Sequence, residues 1–532
     1  MMPPPPPPSR RVAIVGGGIA GIACSWELRK HDCSVDIFEA DDKLGGHANS
    51  VSFKGKRGSV SVDTGFIAID EATYPHFNAF LGELGVETMP TDMSFGVSTS
   101  DGAFEWSSYS LWSFVGTLTR LLSPWFWRLM FDVVRFSLFA QDAVREEPCV
   151  AEPSQRRGSD ADAVEDDLGA APLESIGEYL RRQGYSEQFM AYFLIPMVAA
   201  PWCIDPDEFA ATFPARPLIQ FMLRHGLLDT VTQRLQWRTF RHGSRTYVDA
   251  FQRRLPPRHR LHLNTPVQRV TRVGDETVVS LHDGPSRTYD DVVLAVHANQ
   301  ALALMGGDAT ALERRILGSF KTSKNVCHLH SDTSHLPRRP SARAAWNCFV
   351  ESEAWTPQNA LAGKPRSRKI SITFDMNKLQ AIPFPGQAGS PGRVLVSMNP
   401  TRTPRALQSS HIYHHPLLSS ESILMTRHLD KINGVSGLAF AGAWMGYGFH
   451  EDGFVAGVHA ARLITHGRDK TRPLDLMQDG MDNLLPKGGT TRILLRLGVG
   501  LVQWLLRLRE SMVDAWAWAD VTSQEKSKLL LL

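Results

Sequence analysis

Three ionisable residues stand side by side near the end of the chain, in the segment GYGFHEDGF from 446 to 454. His450, Glu451 and Asp452 could transfer protons, ligate a metal or hold a loop beside a cofactor. A joint metal site is excluded because adjacent side chains diverge by about 100° on a helix and about 180° on a strand. Phe454 also stands where the HExxH zinc motif needs its second histidine. We therefore expect a loop whose two acids cap a helix N-terminus, and we keep His450 as the candidate for proton transfer.

Glycines provide a second chemical pattern, in RVAIVGGGIAGIACSWEL near the start of the chain. The apolar run predicts a strand, the glycines a tight turn, and the rest a helix whose first N–H groups can bind phosphate. Eighteen residues after the last glycine of GxGxxG, the next predicted strand ends in an acid that can accept a ribose hydroxyl. The spacing predicts a dinucleotide site formed by Gly16, Gly18, Ile19, Ala20, Gly21 and Glu39. The chain has no second GxGxxG after a strand, which argues against a separate NAD(P)H domain.

Other histidines and aromatic residues are weaker candidates. His225 follows an apolar helical pattern and is either a structural histidine or a catalytic one. His328 and His330 alternate on one predicted strand, where a hydrogen-bonded pair is preferred to a metal site because no third ligand is suitably spaced. Aromatic walls beside a substrate, or ordinary packing, are open for Trp202, Trp444 and Tyr447. A serine hydrolase is unsupported because GxSxG is absent.

Composition places these residues in a soluble globular enzyme. A chain of 532 residues favours two or more lobes, and 43% of its residues are apolar. A formal net charge of +2 gives no indication of a nucleic-acid partner. Six scattered cysteines without a CxxC pair indicate a reduced, intracellular protein without a zinc or iron–sulfur site.

Two apolar stretches suit a membrane interface. Residues 111–140 are dense in Trp and Phe, and residues 491–510 carry arginines at both ends. For the first, packing in the core or along a substrate channel is slightly preferred. For the second, membrane binding and packing stay open. The predicted location is cytoplasmic or peripherally membrane-associated.

The residues after Glu39 indicate which dinucleotide binds. ADDKLGGHANS resembles the second glycine motif of the flavin amine oxidase and phytoene desaturase superfamily, in which an acid is followed by a basic residue and GGR. The resemblance assigns cofactor contacts to Lys43, Gly45, Gly46 and His47. His47 departs from the pattern because it replaces arginine, and a neutral imidazole can only hydrogen-bond to a pyrophosphate.

Longer motifs extend the resemblance over about residues 10–465. VDTGFIAID, DMSFGVS, FPARPLIQFMLRHGLL, HGSRTYV, VVLAVHANQAL and GYGFHEDG occur in order. They are similar to a family of FAD-binding oxidoreductases encoded beside, or fused to, cyclopropane-fatty-acid synthases. The resemblance implies an α/β fold: a discontinuous Rossmann-type FAD-binding domain of the glutathione-reductase type, with an inserted α+β substrate domain.

The same resemblance gives roles to further residues. Val267 lies in the strand that pairs with the adenine edge, and His297 lies at the tip of the strand that returns to the cofactor. Gly442 ends the last strand near the pyrophosphate, while Asp452 and Gly453 stand where the final helix begins and points at the flavin. His450, Tyr447 and His225 are the catalytic candidates on this template.

The predicted domains follow from this template. We expect a proline-rich leader at 1–10, FAD-binding parts at 11–70, 241–300 and 431–467, substrate-domain parts at 71–240 and 301–430, and an amphipathic extension at 468–532. A polar loop is expected at 145–170.

The predicted function is FAD-dependent oxidation, desaturation or isomerisation of an apolar substrate, a lipid or fatty-acyl chain. The alternatives are a flavin amine oxidase and a flavin-binding accessory partner of a lipid-modifying methyltransferase. The expected partners are the apolar substrate, a lipid-modifying enzyme and a peripheral membrane surface, with no nucleic acid and no metal.

Overall fold

A computed structural model describes residues 10–56, 58–100, 102, 104–145, 164, 172–228, 235–352, 368–477, 492–506 and 508. The leader at 1–9 and almost all of the loop at 145–170 lie outside these ranges. Arg10, assigned to the leader from sequence, already belongs to the first strand.

In the ranges given above, twenty strands form five sheets. In chain order they are β1 Arg10–Val15, β2 Cys33–Phe38, β3 Ser50–Gly55, β4 Gly58–Asp63, β5 Ala68–Asp70, β6 Thr88–Pro90, β7 Phe95–Thr99, β8 Glu105–Ser107, β9 Trp237–Phe240, β10 His259–His262, β11 Val267–Val273, β12 Glu276–Leu281, β13 Arg287–Tyr289, β14 Asp291–Leu294, β15 Lys321–His330, β16 Trp346–Ser352, β17 Arg368–Asp375, β18 Leu395–Met398, β19 Ser409–Leu417 and β20 Leu438–Phe440.

The α-helices pack on and between these sheets. They are α1 Ile19–Leu28, α2 Pro75–Leu84, α3 Leu111–Val115, α4 Pro124–Phe139, α5 Asp142–Arg145, α6 Ile176–Arg182, α7 Glu187–Phe189, α8 Ile195–Ala199, α9 Pro206–Thr212, α10 Ala215–Arg224, α11 Arg245–Arg253, α12 Ala298–Met305, α13 Ala311–Gly318, α14 Met376–Leu379, α15 Ser420–Thr426, α16 His450–His466 and α17 over 492–506. A π-helical turn, Met190–Leu194, joins α7 to α8.

A five-stranded parallel sheet in the order β10-β2-β1-β14-β20 forms the nucleotide-binding lobe. Its strands come from three separated parts of the chain, so the lobe is discontinuous, as the sequence predicts. The strands are buried and rich in Val, Ile, Leu and Ala, as expected where helices cover both faces of a parallel sheet. The predicted fold class is confirmed, whereas the residue boundaries of each domain part stay a prediction.

A seven-stranded sheet in the order β19-β15-β18-β17-β16-β7-β8 supports the second lobe. An apolar core that includes Phe189, Trp202, Phe213 and Phe221 lies between this sheet and helices α4 to α10. The strand β15 carries His328 and His330, and His330 Nε2 lies 2.8 Å from Ser397 Oγ. The structured residues contain no group of three or more His, Cys, Asp or Glu that could hold a metal ion.

Two glycines let α16 lie directly against α1. A Cβ atom on Gly457 would come within 2.1 Å of the carbonyl oxygen of Ala20, and one on Gly453 within 2.7 Å of Ile19 Cγ2. Glycine at both positions is therefore required by helix–helix packing, which sets the start of α16 beside the start of α1.

The aromatic stretch at 111–140 has two different faces. Phe126, Leu129 and Phe136 point into the core, whereas Leu111 and Trp112 are 83% and 70% exposed. Core packing therefore accounts for only one side of it. In the ranges described, no single helix is long and apolar enough to cross a membrane; only the pair 187–202 and 206–212, bent by 87°, meets that test by length and composition.

Candidate functional site

The glycine turn between β1 and α1 has the geometry of a phosphate-binding loop. Gly16 has φ +106°, and a Cβ there would meet the carbonyl oxygen of Ala295 at 2.4 Å. Gly21 is equally restricted, because its Cβ would lie 2.0 Å from the carbonyl oxygen of Gly16. Gly18 is different, since nothing lies within 4 Å of its Cβ position. The chain closes around Gly16 and Gly21 and leaves open space at Gly18.

That open space faces the first turn of α1. Gly18 is the N-cap residue, no side chain caps the helix, and its first turn carries no acid. The N–H groups of Ile19 and Ala20 and the positive end of the helix dipole are thus available to an anion. A pyrophosphate fits this arrangement, which satisfies the first requirement for FAD.

Glu39 lies beside the turn, as its position after β2 predicts. Its Oε2 accepts from Gly17 N at 2.7 Å, and its backbone oxygen accepts from Thr265 N at 2.9 Å. The segment after β10 is thereby held next to Glu39, and Val267 opens β11 two residues further on. Glu39 and Val267 are on the same side of the turn, which suits contacts to the ribose and adenine of a dinucleotide. Their roles stay predictions.

The second glycine motif packs on the first. Gly45 N donates to the carbonyl oxygen of Gly17 at 2.9 Å, and a Cβ on Gly46 would lie 3.5 Å from Gly18 Cα. Lys43 does not point at the turn, because its Nζ donates to Asn49 Oδ1 at 2.7 Å. Gly45 and Gly46 therefore help shape the open space, whereas Lys43 orders the loop behind it.

His47 belongs to a cluster of aromatic rings at the seam between the lobes. Its ring centroid lies 6.5 Å from that of His297, 5.0 Å from that of Tyr413 and 5.5 Å from that of His415. His47 follows the second glycine motif, His297 follows β14, and Tyr413 and His415 come from β19. The carboxyl edge of a parallel sheet, where His297 lies, is where ligands bind in such folds.

The three histidines of this cluster are neutral. Burial, reinforced by the neighbouring histidines, holds the pKa of His47 well below its usual range. Burial also lowers the pKa of His297 to about 4 and that of His415 to about 4. At neutral pH the rings offer one donor and one acceptor each and no fixed charge.

The segment after β20 closes the site from the other side. Trp444 Nε1 donates to the carbonyl oxygen of Val296 at 2.9 Å, and the indole packs on Phe320. A Cβ on Gly442 would come within 2.3 Å of Trp444 Nε1. Gly442 is thus required for Trp444 to tie this segment to the end of β14.

The expectation that His450, Glu451 and Asp452 lie in a loop is wrong, because all three belong to the first turn of α16. Gly453 consequently does not open the helix; it lies in its second turn and makes room for Ile19. Asp452 does cap its own helix, since its Oδ2 accepts from Phe449 N at 2.8 Å.

Glu451 caps a different helix from the one expected. Its two oxygens accept from His76 N and Phe77 N, each at 2.9 Å, at the N-terminus of α2. Burial raises the pKa of Glu451 to about 7 and that of Asp452 to about 7, against the opposing effect of these N–H donors. The two acids therefore anchor α2 and the 446–449 turn to the start of α16.

His450 is not free to face a cofactor or substrate, contrary to expectation. Its ring stacks on Phe66 with 3.7 Å between centroids, and its Nε2 lies 2.7 Å from Tyr247 Oη. The residue is buried, and burial lowers its pKa to about 3. Its neighbours hold it as a neutral packing residue, because an imidazolium in this apolar site would lack a counter-charge.

The other two catalytic candidates, Tyr447 and His225, are packed as well, but within the second lobe. Tyr447 is buried, and its hydroxyl donates to the carbonyl oxygen of Pro217 at 3.2 Å. His225 packs against Phe221 and Phe449, and burial lowers its pKa to about 3. Trp202 Nε1 donates to the carbonyl oxygen of Tyr447 at 2.8 Å. Their catalytic roles stay predictions, and the packing gives them a structural role.

Sequence reasoning missed the residues that β19 brings to the seam. Tyr413 Oη lies 2.7 Å from Thr64 Oγ1 and 2.9 Å from Asn49 Nδ2, and His415 joins the ring cluster. The segment HIYHHP at 411–416 alternates ring-bearing side chains at every second position, as a strand with one functional face would. That alternation was the available signal.

Comparison with known proteins agrees with this site. The family model described as flavin containing amine oxidoreductase matches residues 19–348. The "Putative flavin-containing monoamine oxidase AofH" of Mycobacterium tuberculosis is 28% identical over 206 residues, 38% of this chain and 39% of that protein. Protoporphyrinogen oxidase 2 of Arabidopsis thaliana is 24% identical over 207 residues, 37% of this chain and 33% of that protein. The matched region thus spans well under half of each relative.

Solved structures share the fold over most of the chain. The CLA-producing fatty acid isomerase from P. acnes superposes with a TM-score of 0.56 at 15% identity, covering 86% of this chain and 98% of that one. Cyclohexylamine oxidase from Brevibacterium oxydans IH-35A gives a TM-score of 0.54 at 14% identity, covering 87% and 100%. At this identity the likeness concerns the fold alone.

The glycine turn, the uncapped start of α1 and Glu39 together suit FAD, which supplies the electron-accepting ring when bound. The matched family region begins at Ile19, the first residue of α1, and covers more than half of the chain. This chain belongs to the flavin containing amine oxidoreductase family, and its cofactor is FAD.

Proposed function

We propose that this oxidoreductase acts on an uncharged or anionic apolar substrate, a lipid or fatty-acyl chain, by oxidation, desaturation or isomerisation. The observation that carries the proposal is the neutral ring cluster of His47, His297 and His415. These rings lie beside the glycine turns, where both lobes meet. Bound substrate would be surrounded by imidazole, phenol, amide and hydroxyl groups.

A cationic amine finds no counter-charge among the ring contacts of this cluster in the parts of the chain that the structure describes. The nearby acid Asp63 is fully buried and accepts from Ser244 N at 2.9 Å and Ser244 Oγ at 2.8 Å. Burial raises its pKa to about 6. An ammonium group would lose its hydration without gaining an ion pair, which costs several kcal/mol per ion.

The three aromatic residues for which substrate walls or ordinary packing were left open all pack against other parts of the protein. Trp202 donates a hydrogen bond to the carbonyl oxygen of Tyr447, and both pack in the apolar core of the second lobe. Trp444 donates a hydrogen bond to the carbonyl oxygen of Val296, just after β14. Their ring faces contact other rings, including Phe213, Phe221 and Phe320. This packing disfavours the amine oxidase alternative.

The test is anaerobic incubation of the FAD-loaded protein with two panels, fatty acids and phospholipids in one and primary amines and polyamines in the other. We expect a lipid either to bleach the flavin absorbance or to be returned with a moved double bond, as identified by mass spectrometry. The amines should do neither, and aerobic mixtures should yield no hydrogen peroxide from them.

Bleaching by amines with peroxide release in air would contradict the substrate class and favour the amine oxidase alternative. An unchanged flavin spectrum and unchanged lipids throughout would favour the accessory-partner alternative. A His415→Gln variant tests the role of the cluster. It should keep bound FAD and lose at least about tenfold in turnover, because the proposed hydrogen bond from the imidazole to the substrate is worth about 1.5 kcal/mol.

A further inference from the structure

An unusually apolar surface covers the outer side of α3, the following turn and α4. Large side chains at five positions are more than half exposed: Tyr109, Leu111, Trp112, Leu118 and Leu122. Along α4 the stripe continues through Trp127 and Val134, seven residues apart on the same helix face. Contiguous exposed apolar surface of this kind marks an interaction site.

The helix α17 is amphipathic, but its apolar residues are exposed, whereas the apolar face of a helix in a soluble protein usually packs on the core. At about 100° per residue, Arg492, Arg496 and Gln503 share one narrow face, and apolar residues occupy the rest of the circumference. Seven of the apolar side chains are 49–66% exposed: Ile493, Leu494, Leu495, Leu497, Leu501, Trp504 and Leu505. The apolar side therefore faces outward.

The arginine side of α17 is what meets the protein. Arg496 forms an ion pair with Asp142, and its guanidinium lies 4.5 Å from the ring centroid of Phe139. Phe139 ends α4, so α17 joins the same element that carries the exposed stripe. Two parts of the chain more than 350 residues apart thus contribute to one apolar surface, defined here as the exposed residues of 109–134 and of α17.

The charges around this apolar surface are positive. Residues 109–131 and 491–508 contain five arginines and no Asp, Glu or Lys. Among the described residues, two acids beside this surface are each shared by two arginines: Asp132 by Arg128 and Arg135, and Asp142 by Arg145 and Arg496.

We propose that the apolar surface docks on an anionic lipid bilayer, lying in the interface without crossing it. Exposed Leu and Ile side chains would enter the acyl region, and Trp112, Trp127 and Trp504 suit the headgroup level because an indole is apolar with one polar N–H. The arginines complement anionic headgroups. A second copy of the chain is disfavoured as occupant, because a symmetric contact would bring like charges together. The surface is independent of which substrate the flavin site takes.

The test is flotation of the full-length, FAD-loaded protein with phosphatidylcholine vesicles that contain or lack phosphatidylglycerol, at low and high salt. We expect binding to the anionic vesicles, weakened by salt. The variants Trp112→Ser/Leu122→Ser and Leu497→Ser/Leu501→Ser should each bind at least about tenfold more weakly, because each removes two large apolar side chains that the bilayer would bury.

The matched control is Val273→Ser/Leu407→Ser, which removes two exposed apolar residues elsewhere and should bind as the native protein does. The flavin spectrum of every variant checks that the fold is retained. Equal binding of all variants, or no binding to anionic vesicles, would overturn the proposal. A variant-sensitive dimer in solution without vesicle binding would also overturn it, in favour of a second copy as the occupant.

Discussion

The hydroxyl of Tyr247 lies 2.7 Å from Nε2 of His450, and the ring of Phe66 stacks on the His450 imidazole with 3.7 Å between the two ring centroids. The pair ties α11 to the first turn of α16 inside the nucleotide-binding lobe. A histidine held this way positions the start of α16, and its role in proton transfer stays a prediction.

Removing the phenol tests that role. Tyr247→Phe should lower the free energy of unfolding by about 1 kcal/mol, because one buried hydrogen bond is lost, and should leave the FAD content unchanged. Chemical denaturation and the flavin spectrum measure the two effects. If turnover fell by orders of magnitude while stability stayed the same, His450 would regain its catalytic candidacy.

The pH dependence of stability should report the buried imidazole of His450. Its pKa is about 3 in the folded protein and ordinary in the unfolded chain, so the unfolded state binds the proton first. Its contribution to stability is therefore complete above about pH 6.5 and lost as the pH falls toward 3. The stability difference between the native protein and His450→Gln should shrink on acidification from pH 7 to pH 5. A difference that stayed constant would mean that His450 is not held neutral.

Glu451 gives a prediction of opposite sign. Glu451→Ala leaves two N–H groups of α2 without their carboxylate and should cost about 1–3 kcal/mol of unfolding free energy. Because its pKa is raised to about 7, the native advantage over Glu451→Gln should be largest at low pH and decline as the pH rises through 7. Thermal unfolding at several pH values measures both effects. The exposed Glu87→Ala is the control and should change stability by less than about 0.5 kcal/mol.

Replacing two glycines of the same turn by alanine should have different effects, one on FAD affinity and the other on the stability of the apoprotein. Gly18→Ala places its Cβ in open space, so the apoprotein should unfold as the native one does while FAD binding weakens at least about tenfold. Gly16→Ala forces a Cβ against the carbonyl oxygen of Ala295 at positive φ and should destabilise the apoprotein itself. Gly82→Ala, in α2 with open space around it, is the control and should keep both the stability of the apoprotein and its FAD affinity at least at the native level. Unchanged FAD affinity in Gly18→Ala would place the pyrophosphate elsewhere.

The sequence was sufficient where the determinants are local. The turn of Gly16, Gly18 and Gly21 and the position of Glu39 follow from spacing within one β–α–β unit, and both lie where spacing predicts. It was insufficient where partners are distant: Phe77 and Glu451 are 374 residues apart. Adjacent ionisable residues indicated capping, but the packing of α16 beside α2 decides which helix Glu451 caps. The ring cluster was missed for the same reason, because β19 reaches His47 only through the second sheet.

Isotopic substitution tests most directly the proposal that this FAD protein acts on an acyl chain. Turnover of a fatty-acid mixture, followed anaerobically by flavin absorbance and by mass spectrometry, would be compared for protiated and perdeuterated chains. If a C–H bond of the chain is broken at the flavin, deuterium should slow turnover several-fold. Absence of any acyl product, together with bleaching by amines alone, would contradict it.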